Sequence, residues 1–288
     1  MRSSLKARLM IALSMVIFGT IAIFVRNIPL TSAQLSLSRA VIAAVLIGAY
    51  LLVGGKKIPF RSLGRQLPAL LVSGAALGIN WILLFEAYKY TTVSVATLSY
   101  YFAPVIIILA CPLLFKEKMG VKQWLCFVMS TLGIVLITGF GDLSGGGSHI
   151  KGIAFGLAAA FFYAFVVISN KFIKGVDGIQ RTFLQFVAAA IVLAPYVLLT
   201  EGFSLAAMDA KGFVFLGVVG LVHTGITYCL YFSSLKELPG QKAAILSYID
   251  PLVAVLVSVV VLKETMTPMQ IIGGLLILGF TLWNEKNS

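Results

Sequence analysis

The residues of this 288-residue chain that could do chemistry are a few ionisable side chains inside long apolar stretches. Asp250, His223, Arg39 and Glu86 each lie within such a stretch or near its end. A charged side chain near the centre of a lipid bilayer costs at least about 2.5 kcal/mol, so its presence there needs a functional or structural reason. These four side chains are therefore the first candidates for a functional site.

Asp250 is directly followed by Pro251, in the segment "ILSYIDPLVAVLVSVVVLKE" that begins at residue 245. Proline has no backbone N–H and disrupts the preceding helical turn, and lipid cannot satisfy the carbonyls that it leaves unbonded. One interpretation is that Asp250 is a proton or cation site facing a cavity. The other is that its carboxylate pairs with Arg39 or caps local backbone groups.

The other three ionisable residues also allow two interpretations each. His223 could exchange protons near neutral pH, above all beside Asp250, although a single helical histidine is more often a packing residue. Arg39 could hold the carboxylate of a ligand through two hydrogen bonds, or it could pair with Glu86 or Asp250. Glu86 is a further proton-exchange candidate, but its i,i+3 spacing to Lys89 favours an ion pair at the rim.

Polar and aromatic residues in the middle of the apolar stretches are candidates for the wall of a cavity that binds a small molecule. Such pockets combine apolar and aromatic walls with a few polar groups, and an aromatic cage can hold an ammonium group. The alternative is that these residues pack helix against helix. The candidates are Asn80, Trp81, Tyr100, Tyr101, Thr227, Tyr228, Ser247 and Tyr248.

Catalytic and metal-binding patterns are not found in the sequence. Its two histidines and three cysteines are scattered and form no ligand cluster, so we expect no metal site and no cofactor. The GxSxG, HExxH and Walker patterns are also missing. The sequence therefore predicts that the protein is not an enzyme and does not itself use ATP.

The elements that must position these residues are membrane helices. The chain is 60% hydrophobic and 11% charged, with a mean hydropathy of +1.02, whereas soluble domains have about 25% charged residues. A helix needs roughly 20 apolar residues to cross a bilayer. Ten such stretches predict an all-α integral membrane protein, at residues 8–26, 33–53, 67–88, 93–114, 122–140, 151–171, 180–200, 212–234, 242–262 and 268–284.

The net charge of +12 reflects orientation in the membrane and does not indicate a nucleic-acid partner. If the N-terminus is cytoplasmic, 16 of the 22 Lys and Arg residues lie in cytoplasmic segments and five in outer segments, with Arg39 inside a helix. Basic residues concentrate on the cytoplasmic side of membrane proteins. We therefore expect both termini to be cytoplasmic, in a multi-pass protein of the cytoplasmic membrane.

The chain also contains an internal repeat with an offset of 147 residues. Tyr101 corresponds to Tyr248, and Pro104 corresponds to Pro251. The pair Lys116-Glu117 likewise returns as Lys263-Glu264, which makes chance similarity between apolar stretches a poor explanation. The repeat predicts two halves, 1–143 and 144–288, that form one membrane domain.

Each half has five predicted helices, so the second half enters the membrane the opposite way up. Inverted repeats are common in secondary transporters, where they place a site near the membrane midplane. Pro104 and Pro251 would then interrupt the fourth and ninth helices near this site.

The motif in these two helices resembles the EamA-type transporters of the drug/metabolite transporter superfamily. The residues that carry the resemblance are Ala96, Tyr101, Pro104, Lys116 and Glu117, with Ala243, Tyr248, Pro251, Lys263 and Glu264. It implies a basket of ten helices around a central cavity. It also implies transport of amino acids, metabolites or drugs, most often export, with proton coupling in part of the family.

We therefore expect a secondary transporter that exports small organic solutes such as amino acids, as a monomer or a homodimer, with the lipid bilayer and protons as further partners. One alternative is a passive facilitator or exchanger with the same fold. Another is a membrane protein with a structural or sensory role, against which the ionisable groups inside the membrane argue.

Overall fold

The computed structural model describes residues 2–55, 64, 66–115, 120–138, 147–173, 176–200, 202, 205, 208–235 and 246–286. Every regular element within these ranges is helical. The α-helices are α1 (Arg2–Gly19), α2 (Ile21–Val25), α3 (Ser32–Val53), α4 (Leu67–Tyr90), α5 (Val93–Tyr100), α6 (Ala103–Phe115), α7 (Val121–Thr138), α8 (Ser148–Phe172), α9 (Gly178–Thr200), α10 (Ala210–Gly217), α11 (Thr227–Leu235), α12 (Ile249–Leu256) and α13 (Pro268–Lys286). Two π-helical segments, π1 (Val218–Ile226) and π2 (Val257–Val261), continue α10 and α12.

Six helical stretches in the described residues are long and apolar enough to cross a membrane, and four shorter apolar helices accompany them. The six are Leu5–Val25, Ser32–Val53, Leu67–Tyr90, Ser148–Asn170, Gly178–Thr200 and Ala210–Tyr231. The shorter four are Val93–Ile107, Val121–Ile137, Ile249–Val261 and Pro268–Asn284. A helix thus lies in each of the ten predicted stretches. The boundary between residues 143 and 144 and the pair Lys116-Glu117 lie outside the described residues.

The fourth and ninth predicted stretches are interrupted near their middle. α5 ends at Tyr100 and α6 begins at Ala103, and the chain turns at Tyr248 before α12 begins. Pro104 and Pro251 fall in the first turns of α6 and α12. Proline is tolerated in a first turn because the N–H groups there have no intrahelical acceptor, whereas it breaks a continuous helix.

Small residues let the helices pack closely. A Cβ atom on Gly74 of α4 would lie 2.5 Å from the Cβ of Ala188 in α9. Gly133 of α7 and Gly273 of α13 meet so closely that an added Cβ on either would lie within 2.6 Å of the other's carbonyl oxygen. Such close approach is how membrane helices gain packing energy without a hydrophobic drive between them.

The outer faces of the helices carry large apolar side chains instead of charges. Leu52, Val53 and Leu199 have exposed fractions of 83%, 91% and 86%. Large aromatic side chains, including Phe85 and Phe186, are fully buried in the interior. An apolar exterior around a packed core suits a protein surrounded by lipid.

Candidate functional site

The two helix interruptions meet each other. Tyr101, at the break between α5 and α6, donates a hydrogen bond of 2.7 Å from its hydroxyl to Oδ2 of Asp250 in α12. Its ring centroid lies 6.4 Å from that of Tyr248, at the break before α12. The residues that correspond in the sequence repeat therefore face each other at one point.

The Tyr101 hydroxyl also lies near the backbone carbonyl oxygen of Ser247. Pro251 cannot donate to the carbonyl four residues earlier, which belongs to Ser247. The hydroxyl of Tyr101 is 3.4 Å from this oxygen and 2.7 Å from Asp250. A phenol has one proton to donate, so it can serve the carboxylate or the carbonyl, and the structure places it closer to the carboxylate.

Arg39 lies in α3, with 3% of its surface exposed. Its Nε donates to Oγ1 of Thr224 at 3.1 Å. The guanidinium carbon lies 4.3 Å from the ring centroid of Trp81 and 5.4 Å from that of Phe85. These distances are typical of cation–π interactions, which stabilise a desolvated cation without neutralising it.

The ion pair of Arg39 with Glu86 or Asp250, one of the sequence interpretations, is not formed in the described part of the chain. Glu86 instead pairs with Lys89 at 2.7 Å, as the i,i+3 spacing predicts. Asp250 accepts its hydrogen bond from Tyr101. Among the described residues, no carboxylate pairs with the guanidinium of Arg39, whose recorded contacts are the Thr224 hydroxyl and two aromatic rings.

Three tyrosines lie within electrostatic range of both Arg39 and Asp250. They are Tyr88, Tyr100 and Tyr228. The site therefore combines a cation, an acid and several phenol groups. Such a mixture of aromatic surface and convergent polar groups is typical of small-molecule sites.

His223 lies in π1 and does not bond to Asp250 in the described structure. Its Nε2 is 3.1 Å from Oγ1 of Thr20, and its Nδ1 is 3.3 Å from the carbonyl oxygen of Val218. Its ring also packs on Phe24, at a centroid distance of 5.0 Å. These contacts fit the packing interpretation of His223 better than proton exchange with Asp250.

The other wall candidates divide between packing and the site. Asn80 donates to the carbonyl oxygen of Ala159 in α8 at 2.6 Å, and Thr227 donates to that of Val222 within its own helix at 2.7 Å. The Thr227 bond is a contact within a continuous helix, whereas Asn80 also bonds to the side chain of Tyr100. Trp81, Tyr100, Tyr101 and Tyr228 lie around the buried charges, and Ser247 and Tyr248 lie at the break, as described above.

Three residues at the site were not among the sequence candidates. Thr224 bonds to Arg39, Tyr88 interacts electrostatically with both Arg39 and Asp250, and Tyr163 of α8 packs on Tyr100 at a centroid distance of 5.5 Å. Each is a polar residue in an apolar stretch, the signal that selected the other candidates. The described residues contain no group of three or more His, Cys, Asp or Glu that could hold a metal ion.

Comparison with known proteins gives the same fold and a transport class. The model of the EamA-like transporter family matches the chain twice, at residues 5–139 and 150–284. The chain is 31% identical to "Uncharacterized transporter YxxF" of Bacillus subtilis over 86% of this chain and 79% of that protein. It is 30% identical to an "Uncharacterized transporter" of Archaeoglobus fulgidus over 96% of this chain and 95% of that protein.

A solved crystal structure shares the fold over nearly the whole length of both chains. It covers 96% of this chain and 95% of the other, with a TM-score of 0.64 and 16% sequence identity. The fold, the double match of the family model and the named transporter relatives agree. The chain belongs to the EamA-like transporter family.

Proposed function

We propose that this protein is a secondary transporter that exports small organic solutes with an acidic group, such as amino acids and other metabolites, across the cytoplasmic membrane. It crosses the membrane ten times, with both termini cytoplasmic. It works by alternating access between two inverted five-helix halves. Arg39 binds the acidic group of the solute, and Asp250 couples the cycle to protons.

The observation that carries the proposal is an acid at the meeting point of two interrupted helices, in a core that also holds a cation against aromatic rings. Asp250 is held by Tyr101 across the two breaks, and Arg39 lies over the ring of Trp81 and pairs with no carboxylate of the described residues. Broken helices near the midplane are where secondary transporters bind solutes and coupling ions. An uncompensated guanidinium in a site of low polarity favours an acidic ligand.

Two further observations support the inverted repeat. The family model matches each half separately. In the packing of α7 on α13, Gly133 approaches Ile277, and Gly273 approaches Ile137. Residue numbers therefore increase along one helix in the direction in which they decrease along the other. The two helices are antiparallel, as expected for the fifth and tenth helices of halves with opposite orientation.

The Tyr101 contact suggests how protonation could be sensed. While Asp250 is ionised, it accepts the phenol proton of Tyr101 at 2.7 Å. When Asp250 is protonated, its carboxyl group needs no donor, and Tyr101 can turn to the Ser247 carbonyl, 3.4 Å away. This exchange of partners would loosen the contact between the two breaks, and the helices could then shift.

The experiment that tests this function uses purified protein in proteoliposomes loaded with a panel of amino acids and other small acids. Flux is followed with and without an imposed pH gradient. Accumulation that follows the gradient is the expected result. Flux that only equilibrates would point to a passive facilitator or exchanger, and no flux of any tested solute would contradict a transport role for these substrates.

Replacing the acid tests the coupling directly. Asp250→Asn should abolish accumulation driven by the pH gradient while solute exchange continues, because asparagine keeps the shape but cannot take up a proton. Glu86→Gln is the matched control, since it removes a carboxylate that is paired with Lys89 at the rim. Gradient-driven accumulation that survives in Asp250→Asn would contradict the coupling role.

A further inference from the structure

Glu264, which follows π2 in the second half of the chain, is bonded to elements of the first half. Its Oε1 is 2.5 Å from Nη1 of Arg26, at the end of α2. Its Oε2 accepts a hydrogen bond of 2.8 Å from the backbone N–H of Val93, the first residue of α5. A carboxylate at a helix N-terminus is also favoured by the helix dipole. Glu264 therefore links the second half of the chain to the first.

The backbone around Glu264 is shaped for this contact. Lys263 has a φ of 57°, in the left-handed region that non-glycine residues rarely adopt. The turn lets the backbone N–H of Glu264 bond to the Ser258 carbonyl at 3.0 Å, while the Ser258 hydroxyl donates to Glu264 Oε2. The chain thus reverses sharply after π2 and directs the carboxylate back towards α5.

Arg26 extends the contact to a third helix. Its Nη2 donates to the carbonyl oxygens of Tyr88 at 3.2 Å and Thr91 at 3.3 Å, at the C-terminal end of α4. A cation is favoured at the C-terminal end of a helix. The Arg26–Glu264 pair therefore joins the ends of α2, α4, α5 and π2 on one side of the protein. In the proposed topology this is the outer side.

A cavity of about 280 Å³ lies beside this ion pair. Arg26, Leu35, Phe85 and Tyr88 are among the residues that line it. Phe85 also lies 5.4 Å from the guanidinium carbon of Arg39. Its ring packs on Tyr88 at a centroid distance of 6.4 Å, and the two residues are 2% and 7% exposed. One aromatic layer thus separates the cavity from the candidate solute site.

We propose that the Arg26–Glu264 ion pair is the latch of an outer gate. The cavity is the exit vestibule of the solute path, and Phe85 and Tyr88 form the barrier between the vestibule and Arg39. While the latch is closed, the solute site is shut off from the outside. When Glu264 separates from Arg26 and Val93, the halves move apart and the aromatic layer opens. This inference rests on the proposed transport function, because a gate needs a path to close.

The latch can be tested by labelling single cysteines, without a known solute. Leu35, Arg39 and Ala43 are spaced four residues apart on one face of α3, so they lie one above the other. Leu35 lines the vestibule and Ala43 is fully buried one turn beyond Arg39. Leu35→Cys and Ala43→Cys are each made in a chain whose three native cysteines are replaced by alanine.

A thiol reagent that cannot cross membranes is applied to right-side-out vesicles. The Leu35→Cys protein should be labelled at a similar rate whether or not the latch is intact. The Ala43→Cys protein should be labelled slowly, and about fivefold faster when Glu264→Gln is added, as expected for the loss of a partly exposed ion pair. Arg26→Gln should have the same effect, which provides a second variant if Glu264→Gln folds poorly.

Glu86→Gln is the matched control, because the Glu86–Lys89 pair lies within α4 and does not join the two halves. It should leave the labelling of the Ala43→Cys protein unchanged. Unchanged labelling in both latch variants, or faster labelling only from the cytoplasmic side, would overturn the latch. Latch-dependent labelling in a protein that moves no solute would instead contradict the proposed transport function, so the two failures are distinguishable.

Discussion

Arg39 and Asp250 are held by uncharged partners. Thr224 and two aromatic rings contact the guanidinium of Arg39, and a phenol donates to the carboxylate of Asp250. A buried ion pair would satisfy both charges internally, and separating it would be costly. Hydroxyl groups and aromatic rings stabilise each charge less completely. Each charge can therefore still bind a ligand or a proton.

Arg39 offers a direct test of solute recognition. Arg39→Gln should raise the KM for a solute with a carboxylate by about 10- to 100-fold, because a hydrogen bond to a charged group is worth roughly 1.5–3 kcal/mol. Arg39→Lys should recover only part of the loss, since an ammonium cannot form two parallel hydrogen bonds to a carboxylate. The measurement is initial flux at a series of solute concentrations.

The same variants can be tested with the amide analogue of the solute, which lacks the negative charge. Arg39→Gln should change the KM for the amide much less than the KM for the acid. Equal losses for the two solutes would mean that Arg39 supports the fold and does not recognise the acid.

That each charged residue lies within or near an apolar stretch could be read from the sequence, but its partner could not. Hydropathy places Arg39 and Asp250 inside apolar stretches. Which side chain each one meets depends on how the helices rotate against each other, and that is decided by contacts such as Gly74 on Ala188. Glu86 was predictable because its partner is three residues away on the same helix.

At the scale of elements, π1 is the feature that presents Thr224 to Arg39. Thr224, Thr227 and His223 each bond through the side chain to the carbonyl five residues earlier, at 2.8, 2.7 and 3.3 Å. The wider π-turn leaves these carbonyls accessible to side chains. π segments inside α-helices occur frequently at functional sites, and here the nine-residue π1 carries Thr224, which bonds to the guanidinium.

Two threonines in and after π1 form a matched pair for testing this role. Thr224→Val and Thr227→Val each remove one hydroxyl that donates to a carbonyl five residues earlier. Both should lower the free energy of unfolding by about 1–3 kcal/mol, the cost of an unsatisfied buried group. The Thr224→Val variant should also raise the KM for the acidic solute, because Nε of Arg39 loses its acceptor.

Thermal unfolding in detergent and concentration-dependent flux give the two readouts. Equal effects of both variants on the KM would show that π1 acts only through stability. An unchanged KM in Thr224→Val would show that Thr224 does not position Arg39 for the solute.

The interruptions of the fourth and ninth helices were visible in the sequence because proline has a specific backbone consequence. Pro104 and Pro251 lie in the first turns of the helices that follow the two breaks. The π segments could not be predicted from the sequence, because residue types do not determine whether a backbone hydrogen bond spans four or five residues. The contact between the breaks came from the tertiary packing, and the sequence repeat indicated only that they correspond.

At the scale of the whole molecule, the two halves contribute complementary parts to each functional region. The first half supplies Tyr101 and the second supplies Asp250 at the centre, and Arg26 and Glu264 are divided in the same way at the latch. Movement of one half against the other therefore changes both contacts together. This coupling between the centre and the gate is what alternating access requires.

The proposed arrangement depends on the orientation of the chain in the membrane, which reporter fusions can measure. A phosphatase that is active only outside the cytoplasm should be active when fused after Gly146, between the two halves. It should be inactive when fused after Gly64, in a segment rich in Lys and Arg. A fluorescent protein that folds in the cytoplasm should fluoresce at the C-terminus. The expected pattern follows from the concentration of basic residues on the cytoplasmic side of membrane proteins. The reverse pattern would mean that the chain is oriented the other way, with the Arg26–Glu264 pair on the cytoplasmic side. The pair would then close the entry of an export path instead of its exit.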